Sequence, residues 1–411
     1  MSAAHGPAAA RPMGMLRVAL VLGALEAFGP LSMDLYLPQL PQLARSLGTS
    51  DALAQATMSV CMIGLGLGQL VAGPLSDRYG RKRPLVTGVA LFAALSAVCA
   101  VAPTIEVLLV ARLLQGLAGS AGVVISLAVA RDLFHGVELS RMLSLLALVT
   151  SLTPIIAPVI GGQLARFTDW RGIFLVLSGI GVALVVVAVL GLRETRIPDA
   201  VAAEPGAAAG HAAVVLRDPL FVALLAAAGL GGAAFFSYLS MSSFVLQGEF
   251  GFTPQLFSVV FAANALAQLA GAQLSRVLVR RLGTRRVYLL GQLAGGAAAL
   301  VLLVAALLGA AALPYVCLLA LFLGAAGLSG PNGTALALEG HGSRAGTASA
   351  LLGMATFTAG AIAAPLVSAL AGSSAVALAA SIAAGAAAAA LIAVVAVRRL
   401  APPGAVPAYT S

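Results

Sequence analysis

The chain has 411 residues, of which 61% are hydrophobic and only 9% are charged, and its formal net charge is +9. Soluble domains carry roughly a quarter charged residues, so this composition excludes a water-soluble protein. It also argues against a nucleic-acid-binding protein, because the positive charges lie in short connections between apolar runs and no soluble domain presents a basic face. We therefore expect a membrane protein that has no nucleic-acid partner.

Apolar runs bounded by charged residues, Pro or Gly recur twelve times, and a membrane-crossing helix needs ~20 mostly apolar residues. The first run is longer than the apolar region of a cleaved signal, so we interpret it as a retained helix. The predicted spans cover residues 16–37, 52–74, 84–102, 105–130, 141–165, 172–192, 219–242, 254–275, 286–309, 314–336, 345–370 and 374–397. We predict an all-α membrane protein with twelve transmembrane helices.

The basic residues predict the orientation of these helices. With the N-terminus inside, nineteen of the 23 Lys and Arg residues fall in segments on the cytoplasmic side and three fall on the other side. Short loops rich in Lys and Arg stay in the cytoplasm. We therefore expect a multi-pass protein of the cytoplasmic membrane with both termini in the cytoplasm.

The longest polar connection follows the sixth span and predicts a division into two six-helix halves. The predicted parts are an N-terminal half, 1–192, a cytoplasmic linker, 193–218, a C-terminal half, 219–397, and a cytoplasmic tail, 398–411. A weak internal echo supports duplication, because GPLSDRYGRKR after the second span has a counterpart in AQLSRVLVRRLGTRR after the eighth. Parallel halves around a central cavity are a known transporter plan.

The stretch GPLSDRYGRKR, residues 73–83, is the most specific motif of the chain. Gly73 and Gly80 permit a tight reversal, and Asp77 can meet a basic neighbour or the positive end of a helix. The stretch resembles the loop between the second and third helices of the major facilitator superfamily, where it acts like a latch across the cytoplasmic face. A purely topological anchor is the alternative interpretation. The gating residues that the resemblance implies are Gly73, Asp77, Arg78, Gly80, Arg81 and Lys82.

Three further stretches narrow the resemblance. ARLLQGLAGSAGVVISLAVARD, 111–132, is similar to the fourth-helix motif of proton-coupled members through Arg112, Gln115 and Gly116. MDLYLPQLP, 33–41, and DWRGIF, 169–174, resemble the bicyclomycin and chloramphenicol resistance subfamily of drug exporters.

TPIIAPVIGG, 153–162, looks like the fifth-helix antiporter motif of the same superfamily. The matching residues are Pro158, Gly161 and Gly162. Ala157 stands where the family usually has Gly, which puts the close packing or bend expected at that position in doubt.

Two acids lie inside the first span. With a rise of ~1.5 Å per residue from Leu16, Glu26 lies ~15 Å and Asp34 ~27 Å along the helix axis. Arg112 lies ~12 Å along the antiparallel fourth helix, at a depth between the two acids, so an ion pair is feasible. Ionisable groups at this depth are expected to face the bundle interior or water. Our hypothesis is that Glu26 or Asp34, with Arg112 and Gln115, couples proton entry to export.

Structural alternatives stay open for these groups. Glu26 is equally suited to a hydrogen bond with a neighbouring helix, and Asp34 to a helix end in outer water. An apolar cavity with a few polar groups is the usual small-molecule site. The candidate cavity residues, for which ordinary packing is the alternative, are Met33, Tyr36, Phe236, Tyr238, Met241, Asn264 and Gln268.

The remaining motifs do not favour an enzyme. GLSGPNGT, 327–334, lacks the Lys of a phosphate loop, and the three cysteines lie singly in apolar runs. We expect no cofactor, metal or catalytic residue, and a monomer whose partners are the lipid bilayer, protons and a small-molecule substrate. The expected function is proton-coupled export of drugs or other toxic small molecules. The alternatives are an exporter of a sugar or amino-acid metabolite and a membrane sensor that does not transport.

Overall fold

The computed structural model describes residues 15–192, 194–195 and 212–399. In these ranges the chain forms helices and turns without strands, and 12 helices are long and apolar enough to cross a membrane. They are α1 (Met15–Asp34), α2 (Asp51–Tyr79), α3 (Lys82–Ala100), α4 (Ile105–Leu133), α5 (Gly136–Leu164), α6 (Trp170–Gly191), α7 (Pro219–Phe244), α8 (Pro254–Leu282), α9 (Thr284–Leu307), α10 (Ala312–Leu338), α11 (Ala345–Ala371) and α12 (Ala375–Arg399). The predicted fold class is confirmed.

The first helix is shorter than predicted. The predicted span 16–37 ends as a helix at Asp34, and a 3₁₀ turn, Leu37–Gln39, and a short helix, Leu40–Ser46, follow it. Pro38 and Pro41 stand at the starts of these two short elements. Proline lacks the N–H that a continuing helix needs, so the chain changes direction here.

The α2–α3 hairpin has a structural counterpart in the α8–α9 hairpin. Both α2 and α8 contain 29 residues. Ser50 caps the start of α2 and Thr253 caps the start of α8, each through a side-chain oxygen that accepts from a backbone N–H. Both helices end at a glycine with positive φ, Gly80 at 87° and Gly283 at 78°. The weak sequence echo therefore corresponds to the same local geometry.

The helices pack in two groups, α1–α6 and α7–α12. In the first group α2 lies closely against α4, and in the second α8 lies closely against α10. Small residues permit this approach, since a β-carbon at Gly116 of α4 would collide with the backbone of α2, and one at Gly327 of α10 with the backbone of α8. The two groups meet mainly where α2 contacts α11 and α5 contacts α8.

The two ends of the bundle differ. One end, which we call the basic end, holds the Arg-rich connections α2–α3, α4–α5, α6–α7, α8–α9 and α10–α11. We call the opposite end, where Gln55, Gln247 and Gln255 bridge the two helix groups, the closed end.

The predicted bounds of the two halves stay a prediction. Much of the predicted linker and most of the predicted tail lie outside the described residues.

Candidate functional site in the membrane-embedded bundle

Arg112 of α4 is fully buried, although it carries a charge. Its Nη1 donates to Oε1 of Gln115 at 2.6 Å, and its Nε donates to the backbone carbonyl of Thr57 at 3.3 Å. Its Nη2 donates to the hydroxyl of Tyr36 at 3.4 Å, and the guanidinium carbon lies 4.7 Å from the centroid of the Tyr36 ring. The ring of Phe174 is the second aromatic face, with its centroid 5.4 Å from that carbon. Neutral acceptors and two rings therefore enclose the cation.

The structure does not pair Arg112 with Glu26 or Asp34. None of the ion pairs in the described part of the chain includes Arg112. The sequence places the acids and Arg112 at neighbouring depths, but α1 ends at Asp34, and Tyr36 in the following turn is the residue that reaches the guanidinium group. The hydroxyl of Tyr36 therefore lies beside Arg112, where the sequence allowed Glu26 or Asp34.

Gln115 connects Arg112 to α3. Its Nε2 donates to Oγ of Ser96 at 2.7 Å, and this hydroxyl donates to the carbonyl of Phe92 at 2.8 Å. The amide of Gln115 is thereby fixed with its oxygen towards Arg112. Thr57, Ser96 and Phe174 were missed by sequence reasoning. Only Phe174 carries a sequence signal, because it ends the quoted DWRGIF stretch.

The two acids of α1 are enclosed but unpaired. Glu26 is half-buried, and its Oε2 atom is buried without a hydrogen-bond partner among the described residues. Asp34 is only 6% exposed, and in the same part of the chain its carboxylate takes part in neither an ion pair nor a hydrogen bond. Enclosed charges without partners are costly. Either a proton or a cationic group of a bound molecule can supply the missing partner.

Asp34 lies beside residues of the other helix group. It is within electrostatic range of Tyr238 of α7, whose hydroxyl accepts from Nδ2 of Asn264 in α8 at 3.1 Å. The Tyr238 ring stacks on that of Phe261, with centroids 5.4 Å apart. Oδ1 of Asn264 is buried without a partner among the described residues. Two of the predicted site residues, Tyr238 and Asn264, are thus in contact, and Asp34 interacts electrostatically with Tyr238.

The other predicted cavity residues are in packed positions. Met33 and Met241 are buried in the main apolar core. The Phe236 ring packs on Phe357, with centroids 5.6 Å apart. Gln268 is half-buried, and its backbone lies against Gly327.

A cavity of about 330 Å³ with a mixed apolar and polar lining lies among α7, α9, α10 and α11, towards the basic end. This volume is within the range of small-molecule sites. The polar residues that line the cavity are Tyr288, Gln292, Ser329, Thr334, Ser349 and Thr356. None of them was singled out from the sequence.

The closed end is joined by glutamine side chains that cross from one group to the other. Nε2 of Gln55 in α2 donates to Oγ of Ser368 in α11 at 3.1 Å. Nε2 of Gln247 donates to the carbonyl of Pro38 at 3.0 Å, and Nε2 of Gln255 donates to the carbonyl of Gly162 at 2.9 Å. These contacts are between neutral groups. They hold the ends of α1, α2 and α5 against α7, α8 and α11.

The glycines of the fifth-helix motif lie in this closed end. A β-carbon on Gly161 would collide with the carbonyl oxygen of Leu35, and one on Gly162 would collide with the side chain of Ser258 in α8. Pro158 and Ala157 are buried in the same turns. Close packing is therefore present in this helix, and it occurs at Gly161 and Gly162.

The signature loop forms a charged network at the basic end. Arg81 pairs with Asp77 of α2, and its Nε donates to Oδ2 of Asp132 in α4 at 2.9 Å. Burial acts against the charge of Arg81, but hydrogen bonds to Asp132 and Asp77 outweigh burial and raise its pKa. The side chain of Asp77 is 66% exposed, whereas that of Arg81 is 12% exposed. A cavity of about 240 Å³, which Gly73 also lines, lies beside this network.

Two acids of this network were missed by sequence reasoning. Besides Asp132, Glu194 accepts from the backbone N–H of Arg81 at 2.7 Å and from that of Lys82 at 3.2 Å, at the start of α3. Both positions are favourable for an acid, since they lie at a cation or at the positive end of a helix. The sequence did contain a signal for them, because an acid follows the second, fourth and sixth predicted spans within three residues: Asp77, Asp132 and Glu194.

The bundle is that of a membrane transport protein, and comparison with known proteins gives its family. The model of the Major Facilitator Superfamily matches residues 22–364. The chain belongs to this superfamily. Its members and the relatives below are transporters and not enzymes.

The relatives include drug-resistance proteins. The chain is 37% identical to the MFS-type transporter YdgK of Bacillus subtilis over 87% of this chain and 90% of that protein. It is 31% identical to a bicyclomycin resistance protein homolog of Haemophilus influenzae, over 85% of this chain and 88% of that protein. The multidrug resistance protein MdtL of Klebsiella pneumoniae is 32% identical, over 83% and 86% respectively.

Solved transporters share the fold. A bacterial homolog of the human lysosomal transporter Spinster, in an inward-facing and unoccupied conformation, matches with a TM-score of 0.73 and 15% identity over 94% of this chain and 96% of that one. The nucleoside transporter NupG matches with a TM-score of 0.76 and 13% identity over 93% and 99%. At these identities the likeness concerns the fold alone.

Proposed function

We propose that this transporter exports drugs or other toxic small molecules in exchange for protons. The relatives named for bicyclomycin and multidrug resistance support the substrate class. The observation that carries the proposed coupling is the state of the α1 acids. Asp34 is buried with neither an ion pair nor a hydrogen bond in the described part of the chain, between the two helix groups.

Asp34 and Glu26 are the proposed proton carriers. A proton bound at either carboxylate removes the cost of a buried, unpaired charge, and a cationic or donor group of a substrate has the same effect. Proton and substrate therefore compete for the same stabilisation, which is the requirement for exchange. Tyr238 and Asn264 supply further hydrogen-bonding groups from the other helix group.

Arg112 is proposed to couple these acids to conformation without pairing with them in the present state. It is fully buried and its direct partners are neutral. In this conformation burial, and not Arg112, acts on the charge of Glu26 and Asp34. A movement of α1 relative to α4 that brings an acid towards Arg112 would favour the charged carboxylate and so couple protonation to conformation.

Alternating access is proposed to occur by separation of the closed end. With the termini in the cytoplasm, as the distribution of Arg and Lys predicts, the closed end faces outward and the conformation is inward-facing. The Gln55, Gln247 and Gln255 contacts would then break in the outward-facing state. The loop with Asp77 and Arg81 is the proposed gate at the basic end, and the active unit is proposed to be a monomer.

Expression in a host that lacks its own drug pumps tests the export function. The wild-type protein should raise resistance to at least one compound of an antibiotic panel, and a protonophore should abolish the increase. At least one of Asp34→Asn and Glu26→Gln should lose the resistance at equal protein level, whereas Glu106→Gln, which removes an exposed acid of α4, should keep it. Resistance that survives the protonophore would contradict proton-driven export.

A further inference from the structure

The α8–α9 hairpin carries exposed arginines at the basic end. Arg276, Arg280 and Arg281 lie near the end of α8, and Arg286 lies in the first turn of α9. All four are exposed, and none of them takes part in the ion pairs found among the described residues. A cluster of this kind adjoining a membrane span is attractive to anionic lipid.

The corresponding hairpin of the first half is organised differently. There Arg81 is enclosed by Asp77 and Asp132, so its charge is satisfied within the protein. In the echo of that motif Arg276 takes the place of Asp77. The two hairpins share their helix caps and glycine turns, but Arg276 of the second one is exposed, as are Arg280, Arg281 and Arg286. A topological role explains positive charge at this end but does not explain this difference.

Two of the arginines lie at the ends of exposed apolar stripes. Leu274 and Val277 are exposed on α8, and Arg281 follows Val277 by four residues, which places it on the same helix face. On α9 Arg286 precedes the exposed Leu290 by four residues, and Leu293 continues that face. Gly283 joins the two helices between these arginines.

We propose that the α8–α9 hairpin binds an anionic phospholipid. Arg281 and Arg286 hold its phosphate, Arg280 and Arg276 add positive charge, and the acyl chains lie along the apolar faces of α8 and α9. Guanidinium groups bind phosphate by charge-assisted, paired hydrogen bonds. The apolar faces below them distinguish a lipid from a free phosphate, since only a lipid fills both.

Native mass spectrometry of the full-length protein in detergent tests this site. The protein is titrated with phosphatidylglycerol and, separately, with phosphatidylcholine, and inorganic phosphate is added as a competitor. The test variant is Arg281→Gln with Arg286→Gln. The control variant, Arg17→Gln with Arg141→Gln, removes two exposed charges from the first half at the same end of the bundle. Thermal unfolding of both variants confirms that they are folded.

The wild-type protein and the control variant should each retain one phosphatidylglycerol more tightly than phosphatidylcholine. The test variant should bind phosphatidylglycerol about thirty-fold more weakly, since each guanidinium group near an anionic surface contributes roughly a factor of five. Equal weakening in both variants would mean a diffuse positive charge and would overturn the site, as would unchanged binding in the test variant. Release of the lipid by millimolar inorganic phosphate would also overturn it.

Discussion

The guanidinium carbon of Arg112 lies 4.7 Å from the centre of the Tyr36 ring, and the Tyr36 hydroxyl accepts a hydrogen bond from the same side chain. This relationship joins α4 to the turn that follows α1. A fully buried cation is thus stabilised by a ring and by neutral oxygens, while the acids of α1 stay unpaired. The charge of the site is therefore uncompensated in this conformation, and this is the basis of the proposed response to protons.

Substitutions at Tyr36 separate the two parts of this contact. Tyr36→Phe keeps the ring and removes the hydroxyl that bonds Thr57 and Arg112, and it should lower the unfolding free energy by about 1 kcal/mol. Tyr36→Ala also removes the fully buried ring and should cost about 3 kcal/mol or more. Thermal unfolding in detergent measures both. Equal effects of the two substitutions would contradict the role of the ring face.

The fifth-helix glycine should not tolerate even a methyl group. In Gly161→Ala the β-carbon meets the carbonyl of Leu35, which is backbone and cannot rotate away. We expect a loss of about 1–3 kcal/mol, as for other overpacked positions. Gly179→Ala in α6 is the matched control, since its β-carbon meets open space and its stability should stay equal or rise. Similar melting temperatures for the two variants would argue against the close contact.

Loss of the glutamine contacts should loosen the closed end. In a cysteine-free background with Ser240→Cys as the reporter, Gln247→Ala with Gln255→Ala should speed labelling by a polar maleimide roughly tenfold. Ser240 is suited to this because it is buried against Met58 across the two groups. Gln163→Ala removes an exposed amide near the same end and should leave the labelling rate unchanged. No acceleration in the double variant would mean that these amides do not hold the groups together.

The signature loop should open when Asp132 is neutralised. Asp132→Asn weakens a largely buried, charge-assisted hydrogen bond of Arg81 and should destabilise the loop by about 1–2 kcal/mol. Trypsin should then cut after Arg81 and Lys82 about ten times faster, whereas the bond after Arg83 precedes Pro84 and resists trypsin. Glu138→Gln, an exposed acid at the start of α5, serves as the control and should be cut at the wild-type rate. Equal cutting rates for Asp132→Asn and the wild type would mean that Asp132 does not hold the signature loop in place.

Much of the fold could be predicted from hydropathy alone. A bilayer fixes the length and the apolar character of each span, so all the spans were found. The error at α1 arose because its apolar run continues past the helix end at Asp34 through Leu35, Tyr36 and Leu37. The sequence stays apolar beyond the end of the helix, so hydropathy alone does not show where the helix stops. Pro38 was the residue that indicated the end of the helix.

The partners of the site could be predicted only in part. Arg112 and Gln115 are three residues apart in one helix, so their spacing places them on a shared face, where the two side chains are in contact. Thr57, Ser96 and Phe174 come from three other helices, and the approach of separate helices is not written in the spacing of any one of them. The same reason explains why an ion pair of Arg112 with an acid was feasible by depth but is absent from the described residues.

Drug-evoked proton movement in everted membrane vesicles is the direct test of proton-coupled export by the α1 acids. A fluorescent pH probe follows the lumen after addition of a compound to which the wild-type protein gives resistance, with Glu26→Gln, Asp34→Asn and the Glu106→Gln control measured at matched protein level. The drug-evoked signal should be lost in at least one of the first two variants and retained in the control. A signal of wild-type size in both Glu26→Gln and Asp34→Asn would show that neither acid carries the exchanged proton.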